Sequence, residues 1–251
     1  SRMYVDLAGR QRAMYDEMRD ELALWVTSLS GEQVLKQAEV ILTRLVRLAQ
    51  LASNPGLLDA GYRGTPTKFA ALDALLERHV DQGGQKAIVW TSFVGNIGTL
   101  QSRYSRYRPA SLYGEMDMPE RDRAVRAFRG DEAVRLLIAN PAAAREGLTL
   151  TEANIAIYLD RTFNLVDYLQ SQDRIHRISQ TRPCEIVLLL ANATTDEFID
   201  FSLEQKHRLA RFVQRDMDAI DPGDLTMSKP EILRVLLWPA DASIVDSQRP
   251  A

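Results

Sequence analysis

The side chains with the clearest capacity for chemistry are Gln170, Arg174 and Arg177, in a run that reads Tyr-Leu-Gln-Ser-Gln-Asp-Arg-Ile-His-Arg-Ile-Ser-Gln from Tyr168 to Gln180. The segment is predicted to be helical and to follow a strand. On a helix the three residues stand at i, i+4 and i+7, so their polar heads share one face and can converge on one anion. A guanidinium keeps its proton and grips phosphate oxygens with a fork of donors. Delivered to a nucleotide from outside its cradle, such a group stabilises the charge that develops on a transferring phosphoryl group. The same spacing also describes an ordinary solvated helix with two exposed arginines, and spacing alone does not choose between them.

Positioning these residues requires a scaffold, and the chain supplies an alternating one from Lys86 onward. Strand-like runs at Ala87–Thr91, Ala110–Tyr113, Arg135–Ala139, Ile155–Asp160 and Glu185–Leu190 alternate with helical patterns at Ile97–Tyr107, Pro119–Arg129, Val166–Arg174 and Thr195–Val213. Wholly apolar strands alternating with helices predict a parallel sheet covered on both faces, an α/β fold of three layers. Such sheets bind ligands beyond the carboxyl ends of their strands, so chemistry is expected just after each run. Upstream, Gly9–Ala52 reads as two helices, the second opened by a capping box of Ser30 and Gln33 and ended by Asn54-Pro55-Gly56. A third helix carries Phe69, Leu72, Leu75, Leu76 and Val80 and stops at Gly83-Gly84. Downstream, Ser228, Pro230 and Glu231 signal a further helix, and the stretch after Pro239 carries no pattern. Three parts are therefore expected: a helical lead-in over 1–64, the α/β lobe over 65–213 and a helical tail over 214–251.

Composition narrows the class. The 251 residues are 45% hydrophobic and 26% charged, the balance of an ordinary globular domain. One cysteine, Cys184, and three scattered histidines exclude an intrachain disulfide and make a structural zinc site a poor fit. No apolar run reaches a membrane span and no secretory leader is legible, so a cytoplasmic setting is expected. A net charge of −3 argues against nucleic-acid binding by bulk charge, leaving local contacts as the route to any such partner. Ser1 and Arg2 before Met3 have the look of an internal boundary.

The run at Tyr168–Gln180 resembles the sixth motif of superfamily-two helicases, in the form Gln-x-x-x-Arg-x-His-Arg-Ile-x-Gln of Swi/Snf-type ATPases. Upstream blocks resemble that family in order. Lys86–Phe93 resembles the fourth motif, Leu112–Gly114 with Glu120, Arg121 and Phe128 the next block, and Glu146–Asn154 the fifth. Asp160–Asn164 resembles the family's Asp-x-x-Trp-Asn stretch, and Leu51–Pro55 and Lys68-Phe69 resemble its helical lead-in. Thr195–Phe198 and Lys206 resemble the helix after the last strand. Three places depart from the pattern: Ala144-Arg145 stands where Gly-Gly is usual, Thr149 where Asn is usual, and Thr162 precedes Phe163 at a paired aromatic site.

The resemblance implies a RecA-like second lobe of an ATP-dependent translocase on double-stranded DNA. It implies that Arg174 and Arg177 act as arginine fingers on ATP held with Mg2+ by an N-terminal RecA-like lobe, and that Gln170, Gly147 and Glu146 touch the nucleotide. It implies DNA backbone contacts from Thr91, Ser92, Gly114 and Asn140, with Lys68 as a further candidate. Local sequence reads Thr91 and Ser92 equally well as strand-end capping. Neither Gly-x-x-x-x-Gly-Lys-Ser/Thr nor an Asp-Glu-x-His box occurs, so this chain by itself is expected to be inactive as an ATPase. The alternatives are a strand-separating DNA or RNA helicase lobe and a non-catalytic nucleic-acid-binding scaffold.

Overall fold

In the computed structural model, residues 1–145, 148–175 and 183–213 are described, the side chains of 144, 145 and 208–213 excepted. The expected helix at 228–238 lies outside the described residues. Contact clustering divides the chain into two compact units: Ser1–Val5 with Thr65–Leu190, and Asp6–Gly64 with the chain from Ala191 on. The lead-in helices thus share a unit with the helix after the last strand, which the sequence had grouped with the α/β lobe.

The first unit is the α/β lobe. Its strands are β1 (Arg2–Val5), β2 (Lys86–Trp90), β3 (Ala110–Leu112), β4 (Leu136–Ala139), β5 (Ala153–Tyr158) and β6 (Glu185–Ala191), the last residue of β6 opening the second unit. Among the described residues they form one sheet in the order β1-β6-β5-β2-β4-β3. The pairs β2–β4, β2–β5, β3–β4 and β5–β6 are all parallel. This is the expected RecA-like arrangement, and its cause is visible in side-chain alternation. Ala87 and Val89 of β2 join Leu136, Ile138, Ile155, Ile157, Val187 and Leu189 in one core layer. Ile88 and Trp90 join Leu137, Ala139, Ala156, Tyr158 and Leu188 in the other. Since both faces are covered, the central residues Ala87–Trp90, Leu136–Ala139, Ile155–Tyr158 and Ile186–Ala191 are all apolar, and the period-two signature of a half-exposed strand is absent there. Each fully buried aliphatic side chain contributes about 1.5–3 kcal/mol.

Numbered in chain order after three helices of the other unit, the helices of this lobe are α4 (Thr67–Leu76), α5 (Gly95–Arg103), α6 (Met118–Gly130) and α7 (Leu165–Gln172). Helix α4 runs into a π-helical turn over Glu77–Gln82 and stops where expected. A Cβ on Gly83 would stand 2.7 Å from the His79 carbonyl oxygen, and Gly84 has φ +63°, so neither position accepts a larger residue without strain. Helix α6 opens with a complete capping box of Asp117 and Glu120, with Pro119 in its first turn.

Strand β1 carries no sequence signal. Four mostly exposed residues have no burial pattern, yet Ser1 joins the sheet edge: its backbone nitrogen donates to the Ile186 carbonyl at 2.6 Å and its carbonyl accepts from the Leu188 N–H at 3.0 Å.

The second unit contains α1 (Gly9–Ser28), α2 (Gly31–Lys36), α3 (Ala38–Ser53) and α8 (Thr195–Val213). The Ser30–Gln33 capping box forms as expected, but the helix it opens breaks at Gln37 (φ −102°, ψ 10°), giving three lead-in helices in place of two. Buried Tyr15 on α1 accepts the Thr195 N–H at 2.7 Å, which ties α8 to α1 at its first turn. Burial pushes the Tyr15 phenol above its ordinary pKa.

Candidate functional site

The strand ends converge by register. Trp90 lies beside Ala139 of β4 and Tyr158 of β5, and Ala139 lies beside Leu112 of β3. The residues that follow these positions, Thr91-Ser92, Asn140, Asp160 and Tyr113-Gly114, therefore emerge at one edge of the sheet. Strand β2 leads through α5 to β3 on one side, whereas β5 leads through α7 to β6 on the other. Such a reversal of direction opens a crevice at the carboxyl ends of adjacent strands.

Asp160 organises this crevice. It is 2% exposed, and its carboxylate accepts the Thr91 hydroxyl at 2.9 Å, the Ser92 N–H at 2.6 Å and the Asn96 amide at 3.2 Å. From the opposite side, Asn140 donates its amide to the Ser92 carbonyl at 3.0 Å and accepts the Ala142 N–H at 3.0 Å. The Ser92 backbone is thereby held by both neighbouring strand ends. Its side chain lines a cavity of about 120 Å3 together with Asn140, Tyr158, Arg161, Asn164 and Tyr168. Asn164 caps α7 by accepting the Asp167 N–H at 3.2 Å and donating to the Asp167 carboxylate at 2.8 Å. Arg161 is 7% exposed, with its guanidinium 5.0 Å from the centre of the Tyr168 ring.

The expected nucleic-acid contacts are thus brought together but not made equivalent. Ser92 faces the cavity. Thr91 is buried, and its hydroxyl is engaged by Asp160, so it shapes the loop from within, the strand-end role local sequence had left open. Asn140 is largely buried and divides its amide between Ser92 and Ala142. Gly114 is exposed, and a Cβ there would meet nothing within 4 Å. Its loop is fastened to α6 by Arg121, which donates to the carbonyls of Tyr113 at 3.4 Å and Gly114 at 3.3 Å.

Lys68 is a correction. It is wholly buried, and its ammonium donates to the Leu159 carbonyl at 2.9 Å, so it presents no surface to a phosphate. The first turn of α4 packs under the sheet edge, which the position of a lone lysine in the sequence does not reveal. Lys68→Met keeps the shape and removes a charge-assisted hydrogen bond. It is expected to lower unfolding free energy by about 2 kcal/mol in urea titrations and to leave duplex affinity unchanged.

The expected nucleotide face also differs in its local geometry. Helix α7 ends at Gln172, so Gln170 lies in its last turn and Arg174 in the turn beyond. A continuous helical face is therefore not what relates the two. Arg174 is 8% exposed, its N–H donates to the Ser171 carbonyl at 3.3 Å, and its own carbonyl accepts the Leu150 N–H at 2.9 Å. The Gln170 amide oxygen is buried without a hydrogen-bond partner among the described residues. Glu146, Gly147 and Arg177 lie outside the described residues.

Asp160, Arg161 and Tyr168 were visible in the sequence only as members of motifs, with no role of their own, and Asn96 was passed over. A carboxylate directly after an apolar strand was the available signal for Asp160. Nothing local marks Asn96, which meets the site from the first turn of α5.

The model of the helicase conserved C-terminal domain matches residues 67–179. The mouse SWI/SNF-related matrix-associated actin-dependent regulator of chromatin subfamily A member 1 is 26% identical over 251 residues, covering 94% of this chain and 23% of the mouse protein. The Sulfolobus solfataricus SWI2/SNF2 ATPase core in complex with dsDNA is similar at a TM-score of 0.70 and 28% identity, over 85% of this chain and 45% of that one. The Sulfolobus solfataricus SWI2/SNF2 ATPase C-terminal domain has the same fold at a TM-score of 0.67, over 94% of this chain and 96% of that one. The chain thus spans less than a quarter of the mouse relative and under half of the DNA-bound core.

Proposed function

We propose that the chain, whose residues 67–179 match the helicase conserved C-terminal domain, is the second motor lobe of a Swi/Snf-type ATP-dependent translocase on double-stranded DNA. The observation that carries this reading is the clamp on Ser92, which holds a small hydroxyl residue in a cleft at the sheet's switch point. Short polar side chains and backbone groups in such a place suit contacts to phosphate and sugar, which position a duplex without reading its sequence. The similarity of the chain to a protein solved as an ATPase core with dsDNA supports duplex DNA as the partner.

In this reading Ser92, Asn164 and the Gly114 loop touch the DNA backbone, while Asp160, Asn140, Thr91 and Asn96 hold them in place. ATP bound to an N-terminal RecA-like lobe supplies the reactive phosphoanhydride. Gln170, Arg174 and Arg177, with Glu146 and Gly147, meet it from this lobe, and the two guanidinium groups stabilise charge on the transferring phosphoryl group. Asp160 and Asp167 do not fit the magnesium that accompanies ATP, because their oxygens accept internal donors.

The test uses both the 251-residue chain and the full-length protein. The chain alone is expected to show no magnesium-dependent ATP hydrolysis, and the full-length protein is expected to show hydrolysis stimulated by duplex DNA. ATP turnover by the pure chain would overturn the assignment. Displacement of a strand from a forked duplex by the full-length protein would move it to the strand-separating helicases.

A further inference from the structure

A contiguous set of contacts links the cleft to the segment that carries Arg174. The Arg161 guanidinium, in the cleft lining, stands over the Tyr168 ring, and Tyr168 packs edge-on against Tyr158 with centroids 5.2 Å apart. Ser171 is 0% exposed and donates its hydroxyl to the Tyr168 carbonyl at 2.7 Å. A serine has one hydroxyl proton, so in the 2.6 Å contact between Tyr158 and Ser171 the phenol is the donor. Burial pushes the Tyr158 phenol above its ordinary pKa, which keeps that donor protonated throughout the physiological range. Finally, the Ser171 carbonyl accepts the Arg174 N–H. Helix α7 is only eight residues long, about 12 Å; its cap Asn164 lies in the cleft, and it ends at Gln172, two residues before Arg174. A rod of that length has little room to absorb a displacement at one end.

We propose that Tyr168 and Ser171 are positioning residues that couple occupancy of the cleft by a nucleic-acid backbone to the placement of Arg174. This rests on the reading of the cleft as a nucleic-acid interface. An anionic backbone entering the cleft attracts the Arg161 guanidinium, and the Tyr168 ring beneath it moves with α7. Ser171, fixed to Tyr158 on β5, is the pivot against which the end of α7 turns. Arg174 thereby reaches its working position when the duplex is engaged. Neither Tyr168 nor Ser171 meets the nucleotide.

The experiment measures ATP turnover of the full-length protein with and without saturating duplex DNA, alongside DNA half-saturation and thermal melting. Ser171→Ala is expected to leave DNA-free turnover and the KM for ATP unchanged and to lower the ratio of stimulated to unstimulated turnover by about tenfold, a usual size for coupling between sites. Tyr168→Leu is expected to lower the same ratio, whereas Tyr168→Phe, which keeps the ring beneath Arg161, is expected to retain it. A folded Ser171→Ala protein with an undiminished ratio overturns the proposal, as does a ratio that falls equally in Tyr168→Leu and Tyr168→Phe. If the unsubstituted protein shows no stimulation by DNA at all, the reading of the cleft fails, and the coupling fails with it.

Discussion

In the full-length protein, Arg174→Ala and Arg177→Ala are each expected to lower DNA-stimulated ATP turnover about a thousandfold, the usual scale for losing an arginine finger. The loss should fall on kcat more than on KM, because the charge these groups neutralise develops mainly in the transition state. The surroundings of Arg174 add a second effect. Arg174 is 92% withdrawn from solvent and sits in a turn whose carbonyl is held by Leu150, so its removal also takes away packing. A fall in melting temperature should therefore accompany Arg174→Ala. Arg174→Lys separates charge from geometry: the ammonium keeps the cation but lacks the planar fork, so turnover should remain well below that of the unsubstituted protein. Steady-state ATPase assays at saturating duplex check all three variants. Turnover unchanged in both alanine variants would instead identify a scaffold lobe that takes no part in hydrolysis.

Asp160→Ala is expected to lower unfolding free energy by about 3–5 kcal/mol, the scale for removing a buried charged acceptor from donors that remain behind. Three donors lose the carboxylate in one step: the Thr91 hydroxyl and the Asn96 amide, left with the Phe93 carbonyl at 3.4 Å and the Thr91 hydroxyl at 3.2 Å, and the Ser92 N–H. None can turn to water without opening the strand ends, because Thr91 and Asn96 are 0% exposed. For a chain of this size the loss corresponds to a melting temperature lower by about 10 °C. Asp160→Asn should cost less, since its carbonyl oxygen still accepts while its NH2 group opposes a donor. Urea titrations of the isolated chain measure both. A loss below about 1 kcal/mol for Asp160→Ala would show that the strand ends are held by other means. Because the same carboxylate fixes Ser92 in the cleft, duplex affinity of the folded Asp160→Asn protein should weaken as well.

These outcomes bear on different levels of the molecule, and the levels were not equally legible. The cores of β2, β4 and β5 could be read directly, because a strand buried on both faces must be apolar throughout and such short runs stand out between helices. Capping chemistry marked the start of α2 for a similar reason: the side chains that satisfy a helix end are its near neighbours in sequence. Gly83-Gly84 marked the end of the α4 segment because only glycine tolerates the backbone found there. The order of motifs then identified the lobe.

Other features answered to no local rule. Strand β1 exists because an exposed tetrapeptide finds an open sheet edge, and edge pairing uses backbone groups that every residue has. Lys68 had the appearance of a surface cation, yet the residues that bury it are supplied by distant parts of the chain, with Leu159 91 positions away. The alignment of Gln170 and Arg174 was inferred from a helical repeat that stops at Gln172, so their relation depends on a turn held by Leu150 and Ser171.

What the sequence determined by itself was the resemblance to helicase C-terminal domains, the strands from β2 to β6 and the polar residues that follow them, because side-chain chemistry and short-range periodicity are local properties. What only the tertiary structure decided was the division of labour among them: Ser92 turned into the cleft, Thr91 and Asn140 turned to its support, and Lys68 taken inside. Orientation and burial are set by strands paired across long stretches of chain. No residue carries that information in its own type.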